Sequence, residues 1–276
     1  GSSGSGGSGS GGSGSGGADG FVSNAISTCG LDPRDIFAID LDADNDKDIL
    51  VAYYGDSSIK WLQNDGNEVF NSIYISKNTY GPTAVYAIDL DGDTDIDILS
   101  ASEGDNKIAW FENDGNQNFT EHIITTGATQ AQDVLAVDLD GDTDIDIVSA
   151  SFGNDKVVWY KNDGNQNFTP IDISINADGA NSVFAIDIDG DNDIDLLSSS
   201  YEDDKICWYE QGPSLGFTEH IISSSEDGAR SVYATDVNSD GHMDVLCVSY
   251  LGGEVSWYQN NGLQSFTKNL VGTNKT

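Results

Sequence analysis

Four aspartates, Asp89, Asp91, Asp93 and Asp97, stand at positions 1, 3, 5 and 9 of a single nine-residue stretch. Carboxylates packed this closely repel one another unless a cation sits between them. Ca²⁺, which takes about 6–8 oxygen ligands at roughly 2.3–2.6 Å, suits such a shell. A spacing of two brings successive carboxylates to one side of a tight turn, and the ninth residue closes the shell.

The stretch occurs five times, and its leading residues are 49 positions apart. The candidate ligands are Asp40, Asp42, Asp44 and Asp48; Asp89, Asp91, Asp93 and Asp97; Asp138, Asp140, Asp142 and Asp146; Asp187, Asp189, Asp191 and Asp195; and Asp236, Asn238, Asp240 and Asp244. The main-chain carbonyl of the seventh residue (Asp46, Asp95, Asp144, Asp193, His242) is expected to complete each shell. About one Ca²⁺ per turn is expected, five in all.

Other metals fit less well. An EF-hand needs a bidentate Glu at about position 12, where this chain has Val51, Ser100, Ser149, Ser198 and Cys247. Zn²⁺ calls for Cys/His clusters, and the three His are scattered. Mg²⁺ is smaller and keeps its waters.

The elements that position these turns follow from the same 49-residue register, shared by Trp61, Trp110, Trp159, Trp208 and Trp257 and by Phe21, Phe70, Phe119, Phe168, Phe217 and Phe266. In the third unit an alternating segment from Val134 enters the Asp turn as strand A. Strand B (145–151) leaves it, and strands C (156–161) and D (168–175) follow. Asn-Asp-Gly at 64–66, 113–115 and 162–164 marks C–D hairpins, where positive φ is needed. Gly55, Gly104, Gly153 and Gly252 mark B–C turns.

Four short antiparallel strands in each of five ~49-residue units read as an all-β chain, a β-propeller of five four-stranded blades or a segment of a larger propeller. Each strand-C Trp is expected to pack between blades. Residues 21–28 form a sixth D-type segment, matching 266–272 at the other end. One terminal copy is surplus and offers a route to self-association.

Residues 1–17 are only Gly and Ser, a linker outside the fold, so the single domain is expected over 18–276, with units starting near 34, 83, 132, 181 and 230. The net charge of −36 comes from 47 acidic against 11 basic residues. It argues against nucleic acid or an anionic membrane as partner. Of those acids, 23 lie in the five turns. No apolar run approaches the ~18 residues of a membrane span. The three cysteines have no framework spacing, and Cys207 and Cys247, within apolar strands, read as quiet buried thiols.

The motif D-x-D-x-D-G-x-x-D between strands A and B resembles the FG-GAP/VCBS repeat of integrin α-subunit propellers. The resemblance covers nearly all of residues 21–276. It implies one Ca²⁺ in each A–B hairpin, stabilising the blade. The fifth turn matches most closely; the others carry Asn45, Thr94, Thr143 and Asn192 where the motif has Gly. A positive φ there suits Asn and is costly for Thr.

The expected function is a calcium-binding, non-catalytic module for extracellular recognition or adhesion, binding a glycan or a protein partner. Specificity is expected in the B–C and D–A connections, which vary from blade to blade. Candidate ligand-binding residues are Arg34, Tyr54, Tyr80, Phe152, Tyr201 and Arg230. The alternatives are a Ca²⁺-stabilised spacer of a longer extracellular protein and a polysaccharide-active enzyme. Against the latter, no nucleophile–base–orienter set emerges. Asn-x-Thr at Asn118, Asn167 and Asn274 is weak support for secretion.

Overall fold

The computed structural model describes Ile26 and residues 30–273. The D-type segment at 21–28, apart from Ile26, together with Cys29 and Asn274, lies outside the described residues.

Among the described residues, alternating β-branched and aromatic residues between turn signals produce twenty strands in five sheets. The first blade is β1 (Pro33–Ile39), β2 (Asp48–Tyr53), β3 (Ser58–Asn64) and β4 (Phe70–Ser76). The second is β5 (Pro82–Ile88), β6 (Asp97–Ser102), β7 (Lys107–Asn113) and β8 (Phe119–Thr125). The third is β9 (Ala131–Val137), β10 (Asp146–Ser151), β11 (Lys156–Asn162) and β12 (Phe168–Ser174). The fourth is β13 (Ala180–Ile186), β14 (Asp195–Ser200), β15 (Lys205–Gln211) and β16 (Phe217–Ser223). The fifth is β17 (Ala229–Thr235), β18 (Asp244–Ser249), β19 (Glu254–Asn260) and β20 (Phe266–Thr273).

Every sheet is antiparallel and runs in chain order, so each D strand completes the blade of the A, B and C strands before it. β20 accordingly pairs with β19 inside the fifth blade. Strand A starts three residues earlier than the alternation suggests, at Ala131 rather than Val134. A bulge between Ala131 and Asp133 breaks the period there, which hides the strand's start from a pattern search.

The core lies between the blades. Leu50, Ala52, Ile59 and Trp61 of the first blade meet Val85, Ala87, Ile98 and Phe111 of the second, and the same positions meet at the fourth–fifth junction. At these junctions the incoming A strand rests on strands A and B of the preceding blade, as β5 does on β1 and β2. The strand-C tryptophans fill the junctions: Trp61, Trp110, Trp159 and Trp208 are buried, whereas Trp257 is only partly covered. Cys207 and Cys247 are buried free thiols, and burial pushes each up to about 12.

Residues from all five A strands surround one axis, where Asp35, Ala84, Asp133, Ser182 and Ser231 line a cavity of about 300 Å³. Val85 N–H donates to Asp35 Oδ2 at 2.9 Å, and Val183 N–H to Asp133 Oδ2 at 3.0 Å, each across a junction. β17 makes no comparable contact with β1, so the ring of described blades stays open between the fifth and the first.

Candidate metal centres and an axial cavity

Each Asp turn links strand A to strand B, and its ninth residue opens strand B. That ninth carboxylate accepts two backbone hydrogen bonds. Asp97 takes Leu90 N–H at 3.0 Å and Asn113 N–H at 2.8 Å. Asp48, Asp146, Asp195 and Asp244 repeat the pair. The carboxylate thus ties its own turn to the end of strand C. Burial pushes Asp97, Asp146 and Asp195 up to about 6, against the opposing pull of those N–H groups. Asp48 is raised for the same reason.

The leading residue caps the turn from the other side. Asp89 accepts from Gly92 N–H at 2.8 Å and Thr94 N–H at 3.0 Å, and Asp236 accepts from Asp240 and Gly241 N–H. Two residues per turn take left-handed conformations. The sixth positions Asn45, Thr94, Thr143, Asn192 and Gly241 have φ of 74, 81, 80, 76 and 89°. The two threonines therefore accept the conformation the motif reserves for Gly. The fourth position is left-handed as well (Ala43, Gly92, Gly141, Gly190, Ser239), a requirement that a search for the sixth-position Gly overlooks.

Three carboxylates converge in each of the first four turns, while Asp44, Asp93, Asp191 and Asp146 stay outside these sets. Ligand oxygens of Asp40, Asp42 and Asp48, of Asp89, Asp91 and Asp97, and of Asp187, Asp189 and Asp195 lie within 4.8 Å of one another. In the third turn the set is Asp138, Asp140 and Asp142. The fifth turn keeps the backbone pattern with Asn238 in place of the third carboxylate, whose Oδ1 accepts from Asp240 N–H at 2.8 Å. The residues fit a hard cation: the donors are carboxylate oxygens, and Asp42 Oδ1 is buried with no hydrogen-bond partner.

The fifth-position carboxylates each accept from the seventh backbone N–H: Asp44 from Asp46 (2.9 Å), Asp93 from Asp95, Asp142 from Asp144, Asp191 from Asp193 and Asp240 from His242. The seventh side chains turn toward the C–D hairpin. A Cβ on Gly66 or Gly164 would stand 2.6 Å from Asp46 or Asp144, and one on Gly115 2.4 Å from Asp95. Glycine is required there for close approach as well as for positive φ.

A further residue reaches each turn from strand C, two positions after the Trp: Gln63, Glu112, Lys161, Glu210 and Gln259. Gln63 Nε2 donates to Asp42 Oδ2 at 2.6 Å. Lys161 pairs with Asp140 and lies 3.3 Å from Asp142. Glu112 and Glu210 add negative charge near Asp91 and Asp189, whose carboxyls are raised by burial first and by neighbouring carboxylates next. The 49-residue register marks this position as clearly as it marks the Trp. Its chemistry differs from blade to blade, which masks it as a shared feature.

At the opposite end of the blades, Arg34, Phe152, Tyr201 and Arg230 line a cavity of about 220 Å³ with Glu103, Gln130, Gln132 and Asn181. Each guanidinium rests on a tyrosine of its own blade, Arg34 at 4.5 Å from the Tyr54 ring centre and Arg230 at 5.1 Å from that of Tyr250. Phe152 and Tyr201 continue an aromatic row to Tyr250, with ring centres 6.0 and 6.4 Å apart. Tyr54 thus takes part by supporting Arg34. Tyr80 is outside the cavity lining, largely exposed beside Gly104. Tyr250, in phase with Tyr201, was recognisable only from the register.

No curated protein matches this chain. Among solved structures, virginiamycin B lyase from Staphylococcus aureus superposes with a TM-score of 0.60 at 14% identity, over 88% of this chain and 71% of that one. A protein from Lactobacillus plantarum superposes at 0.59 and 12% identity, over 82% and 67%. At these identities the likeness concerns the fold. The profile of the FG-GAP-like repeat matches residues 40–100, 89–149, 138–198 and 187–247, each match running from one Asp turn through the next. The turns, their flanking strands and the repeat length coincide with that profile over most of the sequence, and the chain belongs to the FG-GAP-like repeat family.

Proposed function

We propose that this propeller is a Ca²⁺-stabilised, non-catalytic binding module whose cavity at the end of the blades opposite the Asp turns receives a carboxylate-bearing ligand, an acidic glycan above all. The observation that carries this reading is the pairing of Arg34 and Arg230, from the first and fifth blades, in the lining of one cavity beside Phe152 and Tyr201. Guanidinium groups bind carboxylates through paired, charge-assisted hydrogen bonds. Both rest on tyrosine rings; Arg34 also pairs with Asp32 Oδ2 at 3.1 Å, an exposed contact that a ligand carboxylate would have to displace or share. The aromatic row supplies flat apolar area for a sugar face.

In this reading the Asp turns are remote from the ligand. Bound Ca²⁺ would be held by the carboxylates at positions 1, 3, 5 and 9 and would neutralise their mutual repulsion. Weak extracellular-type affinities of about 10⁻⁴–10⁻³ M suit a secreted or surface location. Virginiamycin B lyase is an enzyme by name, and its likeness at 14% identity does not extend to a reaction here.

Screening against immobilised uronic-acid and sialylated oligosaccharides, followed by calorimetry, tests the proposal. Binding that falls at least about tenfold in Arg34→Ala and in Arg230→Ala, roughly 1.4 kcal/mol, is the expected result. Binding untouched by both substitutions, or none to any carboxylated ligand, refutes it.

A further inference from the structure

The four junctions between blades provide a template against which the two open ends of the ring can be compared, position by position. Val248 is 44% exposed, whereas Ala52, Ala101, Ala150 and Ser199 at the same position are fully buried. Val255 is 40% exposed, against complete burial of Ile59, Ile108, Val157 and Ile206. Val237 is 44% exposed, where Leu41, Leu90, Leu139 and Ile188 are buried. The trailing face of the fifth blade is therefore built like the other four and lacks the blade that covers them. At the other end, Ile36 is 68% exposed, while Val85, Val134, Val183 and Val232 in its register are buried. Val51, Tyr53 and Leu62, farther out on the same blade, are buried. What stays open is β1, the strand type that makes the approach at every internal junction.

The polar groups agree. Across the first junction Gln117 Nε2 donates to Asp42 Oδ2 at 3.5 Å, and across the fourth Gln264 donates to Asp189 Oδ2 at 3.3 Å. These pairs join a C–D loop residue to the third residue of the preceding Asp turn. At the two unpaired ends the corresponding residues are Glu68 and Asn238. Donor and acceptor have exchanged sides: an amide faces a carboxylate again, in reverse. The aromatic contacts point the same way. Phe37 meets Tyr86 at 4.9 Å and Phe184 meets Tyr233 at 4.6 Å; Tyr233, itself 51% exposed, has no counterpart beyond it among the described residues.

We propose that the trailing face of the fifth blade docks onto β1 of a second copy of this chain, joining copies head to tail. Val248 and Val255 then receive Ile36 of the next copy, Tyr233 meets its Phe37, and Asn238 meets its Glu68. Such an interface is heterologous, so it closes into a ring or extends as a chain.

Sedimentation velocity in Ca²⁺ over roughly 1–300 µM protein, the range in which weak association shows, tests this with Ile36→Arg and Val248→Arg. Both positions are exposed, so neither change removes packing from the isolated chain, and circular dichroism checks the fold. The expected results are a mass above one chain that grows with concentration, and single-chain mass for each variant alone. An equimolar mixture of the two variants should give a two-chain species and nothing larger, because one variant keeps its trailing face and the other its β1 edge. Wild-type protein that stays at one chain throughout overturns the proposal. So does self-association that survives both substitutions, or a mixture that remains single-chain.

Discussion

Lys161 Nζ lies 3.3 Å from Asp142 Oδ2 and pairs with Asp140 as well, so the third turn holds a cation among its own carboxylates. The other four turns have Gln63, Glu112, Glu210 and Gln259 at that place. An ammonium group competes with a divalent ion for the same oxygens. Lys161→Gln is therefore expected to tighten the third site by about tenfold, roughly 1.4 kcal/mol. Calorimetric titration with Ca²⁺ checks it by resolving one more strong site in the variant than in the wild type.

Asp97 joins the turn to strand β7 through two buried N–H groups, at 3.0 and 2.8 Å. Removing it leaves both donors unpaired, at about 1–3 kcal/mol each. Asp97→Ala should lose about 2–6 kcal/mol in chemical denaturation even with EGTA present. Asp93→Ala, which removes a candidate ligand at the exposed part of the turn, should cost little without Ca²⁺ and more with it. Equal losses for the two variants in EGTA would show that the ninth carboxylate has no separate structural role.

Much of this was legible before the structure. The 49-residue register gives blade number, strand order and the Asp turns, because each repeat must bury the same face. Three things escaped it. The bulge at Ala131–Asp133 hides the start of strand A. The residue two after each Trp changes charge from blade to blade, so Lys161 and Glu112 do not resemble one another as text although both face an Asp turn. The contrast between Ala52 and Val248 is one of exposure, which depends on what lies beside a blade and not on the residues within it.

Thr94 and Thr143 sit at φ of 81 and 80°. A β-branched residue is strained there by about 1–3 kcal/mol, while glycine in its place adds about 0.5–1 kcal/mol of backbone entropy cost. Thr94→Gly and Thr143→Gly are each expected to raise stability by about 1 kcal/mol. Differential scanning calorimetry reads the gain, and an unchanged or lower Tm for both contradicts it.

Asp133 lies at the axis, pushed up to about 6 by burial, with Val183 N–H, the Ser182 hydroxyl and Val134 N–H pulling it down and the Asp35 carboxylate pushing it further up. A carboxyl that binds its proton more tightly folded than unfolded favours the fold at low pH. That contribution is complete below about pH 4, the unfolded value, and is lost as pH rises through about 6. Asp133→Asn keeps an acceptor for Val183 and removes the titration. Measured in EGTA, the stability of wild type relative to this variant should fall between about pH 4 and 7 by on the order of 1–3 kcal/mol. A difference that is flat with pH would contradict it.

The central claim is that the Asp turns hold the blades together through Ca²⁺. Thermal unfolding with and without the ion tests it most directly. With a dissociation constant near 10⁻⁴–10⁻³ M, about 10 mM Ca²⁺ contributes roughly 1.4–2.7 kcal/mol per site. Several such sites should raise the Tm by about 10 °C or more, reversibly on chelation and with no equal response to Mg²⁺. A melting curve that is the same in EGTA and in Ca²⁺ would contradict the account.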